Sequence, residues 1–307
     1  MTTDGYRDLY DKLWHPVTGC DPVSPGCDRC RAKRSSELLR GIGKRKGLFA
    51  VRTYPEQLQA PLEWTGRQRV LAGWDGDLFH RKVPNEFIAA VFGVMAASYS
   101  HTFLLLTKRL RRALEWFEWV AGEGRLTDGC MRSDLADYAI RAAGSLPANV
   151  LMAGAPFAES SWPLPNVWFG ASVEDQPRAE QRVPLLRQIP AAVRYVNVEP
   201  MLGHVSLDMI GHHVGGHPGT LNALTGEWWP AVGDYEAEVQ GIEETNSVDW
   251  VTCAGECGKD PRPLDLGWAR DLRDQCRDAK VPFYFKGVGN NTAHVPDDLM
   301  VREELAK

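Results

Sequence analysis

The stretch HTFLLLTKR, His101–Arg109, is the clearest of the segments that decide the fold. Its apolar run, Thr102–Leu106, does not alternate with polar residues, which is typical of a parallel strand buried on both faces. Other short runs share this pattern and predict strands at Arg69–Gly73, Val167–Gly170, Tyr195–Val198, Trp250–Cys253 and Pro282–Phe285. A sheet built from these strands is therefore parallel.

Helices are predicted between the strands. Pro84 begins one helix, in which an apolar stripe recurs at helical spacing through Phe87, Ile88, Val91, Phe92 and Met95. Asp265 is the predicted N-cap of another helix, which is expected to bury Trp268, Leu272 and Cys276. Alternating strands and helices predict an α/β fold, and repeated right-handed crossovers close into a barrel. We expect one (β/α)-barrel domain over residues 1–307, partial or full.

Two intervals are longer than one strand–helix unit requires. The first insertion, about residues 111–165, predicts extra helices and a proline-containing loop. The second, about residues 209–247, is rich in glycine, histidine and acidic residues and predicts an irregular excursion.

Composition excludes some classes of function. The chain has 307 residues and a net charge of −5, so any nucleic-acid contact requires a local basic patch. The chain has no run of 18 apolar residues, so the sequence predicts no membrane span. The polar segment Met1–Tyr10 lacks a signal-peptide core. We expect a cytoplasmic protein.

Charged and polar residues follow the predicted strands. In a parallel barrel these positions share the rim on which active sites are built, whereas the simpler interpretation is that loops are polar. The residues are Asp75, Asp77, His80, Thr107, Lys108, Arg109, Ser172, Glu174, Glu199, Glu256 and Lys286. If the charged residues Lys108, Arg109, Glu174, Glu199, Glu256 and Lys286 converge, we expect them to pair with one another or with a ligand, because unpaired buried charge is costly.

Three cysteines lie close together in WHPVTGCDPVSPGCDRC, Trp14–Cys30. Prolines and glycines predict a folded-back loop that brings Cys20, Cys27 and Cys30 to one point, and three thiolates suit a soft metal. A structural zinc site normally has four protein ligands, whereas a [4Fe–4S] cluster can use three thiolates and leave one iron open. We favour an iron–sulfur cluster, with zinc as the alternative.

These residues carry a resemblance to a known family. The chain resembles the bacteriophage-associated three-cysteine-motif proteins, phage gene products of unknown function that are related to the radical-SAM superfamily. The resemblance covers most of the chain. Besides the cysteine motif, it rests on DLFHRKVPNEFI (Asp77–Ile88), HTFLLLTKR (His101–Arg109), LPNVWFGASVEDQ (Leu164–Gln176), RYVNVEPMLG (Arg194–Gly203), VDWVTCAGECG (Val248–Gly258) and RDLRDQCRDAKVPFYFKGVG (Arg270–Gly289).

The resemblance implies a radical-SAM-like (β/α) barrel, or TIM-type barrel, whose cysteine motif follows the first strand. It implies a [4Fe–4S] cluster that binds S-adenosylmethionine (SAM) and cleaves it to a 5′-deoxyadenosyl radical, which attacks an unknown substrate. The protein would then work in the host cytoplasm if it is phage-encoded. The cofactor would supply the difficult chemistry, and the barrel would supply orientation and exclude water.

The chain also departs from the family pattern. The superfamily spacing is C-x3-C-x2-C, whereas the first gap here has six residues, and Gly73–Asp77 replaces the Gly-Gly-Glu motif common after the second strand. Arg31 stands where an aromatic residue is expected, and Cys257 stands where serine is expected. Cys257 is therefore either a fourth cluster ligand or a simple exchange in a glycine turn.

Roles can be assigned to the rim residues on this basis. Glu174, Glu199 and Glu256 are the candidates for binding SAM. Glu199 and Glu256 are also candidate catalytic residues, together with Lys108 and Lys286, which could hold an anionic substrate.

A basic segment adjoins the motif. Eight cations lie between Arg29 and Lys46, which is either a phosphate-binding patch for nucleic acid or the solvated face of a helix. Two functions stay open: a radical-SAM-type enzyme, or a non-catalytic iron–sulfur or zinc protein that binds a partner or nucleic acid or senses redox state.

Overall fold

A computed structural model describes residues 9–41, 49–122, 163–231, 246–289 and 295–305. The chain divides into two compact units. The first unit comprises Met1–Val23, Cys30–Phe169 and Ile189–Ala192, and the second comprises Ser24–Arg29, Gly170–Gln188 and Val193–Lys307. Strand β6 contributes residues to both.

The strands and helices alternate along most of the described chain. The strands are β1 (Lys12–Trp14), β2 (Val17–Thr18), β3 (Arg52–Thr53), β4 (Arg69–Ala72), β5 (Thr102–Thr107), β6 (Val167–Val173), β7 (Val193–Val198), β8 (Ile210–Val214), β9 (His217–Leu221), β10 (Trp228–Pro230), β11 (Trp250–Ala254) and β12 (Phe283–Gly287). The helices are α1 (Arg31–Gly41), α2 (Ala60–Glu63), α3 (Asn85–Ala97), α4 (Leu110–Gly122), α5 (Gln176–Gln188) and α6 (Leu266–Ala279). Short 3₁₀ helices lie at Pro25–Cys27, Pro55–Gln57 and Asp297–Leu299.

Seven strands follow the hydrogen-bonding order β1-β4-β5-β6-β7-β11-β12. The pairs β1–β4, β4–β5, β7–β11 and β11–β12 are parallel. The predicted mixed α/β class is therefore confirmed. Each predicted strand is present, with ends displaced by at most three residues. The apolar runs did not predict strand β1, because three residues with a single buried side chain, Trp14, give little periodic signal.

The core of the first unit surrounds helix α3. Pro84 is its N-cap, and every residue from Phe87 to Ala96 is buried. The apolar stripe that the sequence predicts is thus only part of a helix enclosed on all sides. Its neighbour α4 packs Trp116 against Phe92, with the rings stacked at 4.5 Å.

The core of the second unit is built on an aromatic layer. Trp250 on β11 lies between Tyr195 of β7 and Tyr284 of β12, with ring centroids 5.8 Å and 6.3 Å away. Gly170 of β6 lies against the Tyr195 ring, and a Cβ atom there would approach the ring to 2.3 Å. A side chain at this position would therefore displace the tyrosine.

Helix α6 begins as its sequence predicts. Asp265 is the N-cap, and its carboxylate accepts a hydrogen bond of 2.8 Å from the Gly267 amide. Leu272 and Cys276 are buried, but the prediction for Trp268 was wrong: it is only half-buried. On the exposed side, Asp298 pairs with two arginines of this helix. The hydrogen bonds and charges of these arginines, of which Arg270 has the larger effect and Arg273 the smaller, lower the pKa of Asp298 to about 2.

The second insertion contains regular structure rather than the irregular excursion that we expected. Strands β10, β9 and β8 form an antiparallel sheet, and the two-residue turn Gly215-Gly216 joins β8 to β9. Both glycines have positive φ, 59° and 92°, which is the requirement of a tight hairpin turn. The first insertion begins within α4; residues 123–162 and 232–245 of the two insertions lie outside the described residues.

Candidate functional site

The cysteine motif follows the first two strands. Cys20 comes two residues after β2, Cys27 ends the 3₁₀ helix Pro25–Cys27, and Cys30 directly precedes α1. All three cysteines are outside disulfide bonds and partly exposed. The main-chain amide of Cys27 donates a hydrogen bond of 2.9 Å to the Ser24 carbonyl, which stabilises the turn.

In the first unit, an arginine lies against Cys20. Arg109, just after β5, donates from its guanidinium to the Cys20 sulfur at 3.1 Å and to Asp77 at 3.0 Å. Asp77, after β4, is 5% exposed, so it is a fixed anion behind the arginine. Burial works to lower the pKa of Arg109, but the charges of Asp77 and Cys20 outweigh it, and the pKa is raised. Cys20 therefore faces a permanent cation.

The carboxylate of Asp77 is held by several donors. Thr107 donates its hydroxyl at 2.8 Å, and the main-chain amide of Phe79 donates at 3.0 Å. The amide of Lys108 adds a longer contact of 3.4 Å. These bonds fix the carboxylate that orients Arg109, and they give Lys108 a main-chain role that the sequence did not predict.

A buried histidine lies beside the same loop. His80 accepts a hydrogen bond at Nδ1 from the Lys82 amide, so its proton is on Nε2, which donates to Asp21 at 3.1 Å. Burial lowers the pKa of His80 despite the hydrogen bond to Asp21. His80 is therefore a neutral donor that holds the residue next to Cys20.

In the second unit, Glu174 anchors the segment that carries Cys27. Glu174 follows β6 and is completely buried. One carboxylate oxygen accepts a hydrogen bond of 2.6 Å from the Ser24 hydroxyl, and the other pairs with Arg182 of α5 at 2.9 Å. Because the only hydroxyl proton of Ser24 goes to Glu174, the Cys27 thiol is the donor in its 3.8 Å contact with the Ser24 oxygen.

A second carboxylate reaches the same segment through an arginine. Glu256, after β11, is 5% exposed and binds Arg262 with both oxygens. Arg262 also donates to the carbonyl of Pro25 at 3.1 Å. Burial works to raise the pKa of Glu256, but the hydrogen bonds and charge of Arg262 outweigh it, so the pKa is lowered. Arg29 lies 3.7 Å from Glu256 and donates to the Asp260 carbonyl.

Lys286 and Glu199 form a third polar group in this unit. The Lys286 amine lies 3.0 Å from the Glu199 carboxylate and also donates to the side-chain oxygen of Asn197. Thr252 donates its hydroxyl to the same oxygen at 2.7 Å. The lysine and glutamate side chains are 10% and 15% exposed, so the pair is largely enclosed.

The structure thus brings some predicted residues together. Lys286 forms an ion pair with Glu199. Glu174 pairs with Arg182 and Glu256 pairs with Arg262, two arginines that the sequence analysis did not identify. Ser24 was also missed. Its position inside the cysteine motif is the signal that could have identified it.

The basic segment is partly engaged in contacts of its own. Arg29 is paired with Glu256, and the Arg31 guanidinium lies 5.7 Å from the centre of the Trp74 ring. Residues 42–48 lie outside the described residues. Arg29 and Arg31, which belong to the predicted nucleic-acid patch, therefore already have protein partners.

The donor set fits a soft metal by its chemistry, since three cysteines outside disulfide bonds lie within eleven residues of sequence. Cys257, the candidate fourth ligand, is also outside a disulfide bond and partly exposed. In the described ranges, however, no three histidine, cysteine, aspartate or glutamate side chains are arranged to hold one metal ion. The sulfur of Cys20 faces Arg109, and that of Cys27 faces Ser24.

The fold and these contacts define a mixed α/β protein with a parallel sheet and a cysteine-rich loop near its first strands. The chain belongs to the family described as protein of unknown function, DUF5131, whose model matches residues 8–304. No curated protein and no solved structure shows a significant match to the chain. Within the described ranges, no helix is long and apolar enough to cross a membrane.

Proposed function

We propose that this chain is an iron–sulfur protein of radical-SAM-like type, in which Cys20, Cys27 and Cys30 hold a [4Fe–4S] cluster. The proposal includes a (β/α)-barrel architecture, a kinship with the phage three-cysteine-motif proteins and a cytoplasmic location. The observation that carries it is the state of the motif: its three cysteines are outside disulfide bonds, partly exposed and close in sequence.

The surroundings of Cys20 support a ligand role. A thiolate, not a thiol, binds metal, and a neighbouring arginine stabilises the thiolate. Arg109 supplies this charge at 3.1 Å and is held in place by the buried Asp77. A hydrogen bond to a ligand sulfur also raises the reduction potential of an iron–sulfur cluster.

When bound, the cluster and SAM would supply one-electron chemistry that generates a 5′-deoxyadenosyl radical. The residues of this chain bind and orient. Arg109 neutralises charge at Cys20, and His80 fixes the neighbouring Asp21. Lys286 and Glu199 form a largely enclosed pair of opposite charges, suited to a ligand that carries both charges.

The metal is tested by anaerobic reconstitution of the full-length chain. We expect a brown protein with about four iron and four sulfide per chain, and loss of the chromophore in Cys20→Ala, Cys27→Ala and Cys30→Ala. Cys276→Ala is the matched control, because it removes a buried thiol outside the motif. A colourless protein with one equivalent of zinc would establish the zinc alternative and refute the cluster.

Catalysis is tested separately by incubating the reduced, reconstituted protein with SAM. We expect 5′-deoxyadenosine in the wild type and none in Cys27→Ala.

The second function, a non-catalytic metal protein that binds a partner or nucleic acid or senses redox state, is favoured by one observation. Glu174, Glu199 and Glu256, the candidates for binding SAM, are already engaged by cations of the protein. A cluster without 5′-deoxyadenosine would select this function.

The two functions differ in whether Cys257 ligates the fourth iron of the cluster, the one that the motif cysteines leave open. A cluster ligated by four cysteines has no open iron for SAM. We expect Cys257→Ser to leave the absorption spectrum of the cluster and its response to SAM unchanged. If this variant instead gains a spectral response to SAM, Cys257 is the fourth ligand.

A further inference from the structure

The segment Ser24–Arg29 is a short stretch of chain with little regular structure of its own. It contains one 3₁₀ turn, Pro25–Cys27, and none of the residues of that turn is buried. Loop segments of this kind open easily unless side chains fix them. What holds Cys27 in place must therefore come from contacts with the rest of the second unit.

Those contacts come from the strand ends. Glu174, after β6, binds the Ser24 hydroxyl at 2.6 Å, three residues before Cys27. Glu256, after β11, orients Arg262, which donates to the Pro25 carbonyl at 3.1 Å and lies 3.9 Å from Asp28. Arg29, two residues after Cys27, lies 3.7 Å from Glu256. The cysteine is thus flanked on both sides by residues tied to two buried carboxylates.

Each carboxylate is itself rigidly held. Glu174 has no exposed surface and shares its second oxygen with Arg182, which also donates to the Ser172 carbonyl at 2.7 Å. Two guanidinium nitrogens of Arg262, Nε and Nη2, donate to Glu256, and the Arg262 main-chain amide donates to it at 2.8 Å. A charge-assisted bond to a fixed, buried anion is among the stronger anchors a loop can have.

We propose that Glu174 and Glu256 are positioning residues for Cys27, acting through Ser24 and Arg262, and are not ligands of SAM. The inference rests on the proposed function only in taking Cys27 as a metal ligand. Metal sites depend on residues that orient their ligands, and the ligands are otherwise free to turn away. The carboxylates therefore keep the second cysteine of the motif at one place before metal arrives.

The test uses Ser24→Ala, which removes the anchoring hydroxyl but leaves the Glu174–Arg182 pair intact. Ser206→Ala is the matched control, since the Ser206 hydroxyl also donates to a carboxylate, Asp208, at 2.6 Å in the same unit. Arg262→Lys tests the second anchor by keeping the charge and losing the two-pronged geometry. Ser24→Thr restores the hydroxyl and is the rescue variant.

Amide hydrogen exchange of the metal-free, full-length protein measures the anchoring. We expect exchange in residues 24–29 to be about tenfold faster in Ser24→Ala and in Arg262→Lys, a difference of about 1.4 kcal/mol in local opening. Exchange in Ser206→Ala and Ser24→Thr should match the wild type. Unchanged exchange in both anchor variants, or an equal rise in helix α6, would overturn the proposal.

Iron uptake measures the consequence for Cys27. If the wild type takes up iron, we expect Ser24→Ala to bind less than half as much and Ser24→Thr to bind the wild-type amount. Full iron binding by both anchor variants would overturn the positioning role. If the wild type binds no iron, the proposed function fails, and the exchange experiment alone decides whether the carboxylates anchor the segment.

Discussion

Replacing Asp77 by asparagine should destabilise the protein strongly, although the two side chains have nearly the same shape. Asp77 is 5% exposed, and its partner Arg109 has a side chain that is 13% exposed. One oxygen of Asp77 accepts from Phe79 and Thr107, and an asparagine carbonyl can replace it. The other oxygen faces two donors, the Arg109 guanidinium and the Lys108 amide. An asparagine amino group would meet them as a third donor.

The size of the destabilisation by Asp77→Asn follows from the interactions that the substitution removes. The charge-assisted bond to Arg109 contributes about 1.5–3 kcal/mol, and the weaker bond to Lys108 about 0.5–1 kcal/mol. The Arg109 charge is then left largely buried and without its carboxylate partner, and breaking a buried ion pair by removing one partner costs about 3–5 kcal/mol. We therefore expect Asp77→Asn to lower the free energy of unfolding by about 3 kcal/mol.

Urea denaturation at neutral pH, followed by tryptophan fluorescence and circular dichroism, measures this loss. Asp271→Asn is the control, because Asp271 also pairs through one oxygen, with His204 at 2.7 Å, but is 53% exposed. Exposed pairs contribute about 0–1 kcal/mol, so the control should lose less than about 1 kcal/mol. A loss in Asp77→Asn no larger than that in Asp271→Asn would refute the role of the buried Asp77 pair.

Three further predictions concern other parts of the fold. Asp265→Ala should lower the free energy of unfolding by about 1 kcal/mol through loss of the N-cap bond, whereas Asp265→Asn, an equally good N-cap, should be nearly neutral by urea denaturation. Gly170→Ala should cost about 3 kcal/mol because its Cβ meets the Tyr195 ring, whereas Gly211→Ala, with no atom within 4 Å, should cost far less; equal losses would contradict the packing argument. Because the pKa of Asp298 is lowered from 3.8 to about 2, its contribution to stability is complete above pH 3.8 and is lost as the pH falls towards 2. The difference in urea midpoint between wild type and Asp298→Asn should shrink over that range, and a constant difference would contradict the assignment.

The parallel strands could be predicted because their signal is local. Runs such as Thr102–Leu106 are apolar throughout, and the helix cap at Asp265 depends on residues two positions apart. The hairpin of β8 and β9 was missed although Gly215-Gly216 is a recognised two-residue turn signal. Its two strands bury only Ile210 and Leu221 fully, so they lack the apolar signal of the central strands.

The candidate site could be predicted only in part. The strand-end carboxylates were found because each directly follows an apolar run. Their partners were not, because Ser24 and Glu174 are 150 residues apart in the sequence. Nothing in a single sequence indicates that such distant residues meet. Whether a strand-end carboxylate binds a ligand or anchors a loop can be decided only from such distant pairings, of which Ser24 with Glu174 is one.

The burial of helix α3 on all sides determines which changes this part of the chain can accept. A helix at a protein surface tolerates polar residues every three or four positions, so a complete scan of substitutions shows a wave of period 3.6. From Phe87 to Ala96 no position faces solvent. A scan with aspartate through this helix should therefore show uniform loss of folded protein, without a permissive side on which a label, a tag or a cross-linking residue could be placed.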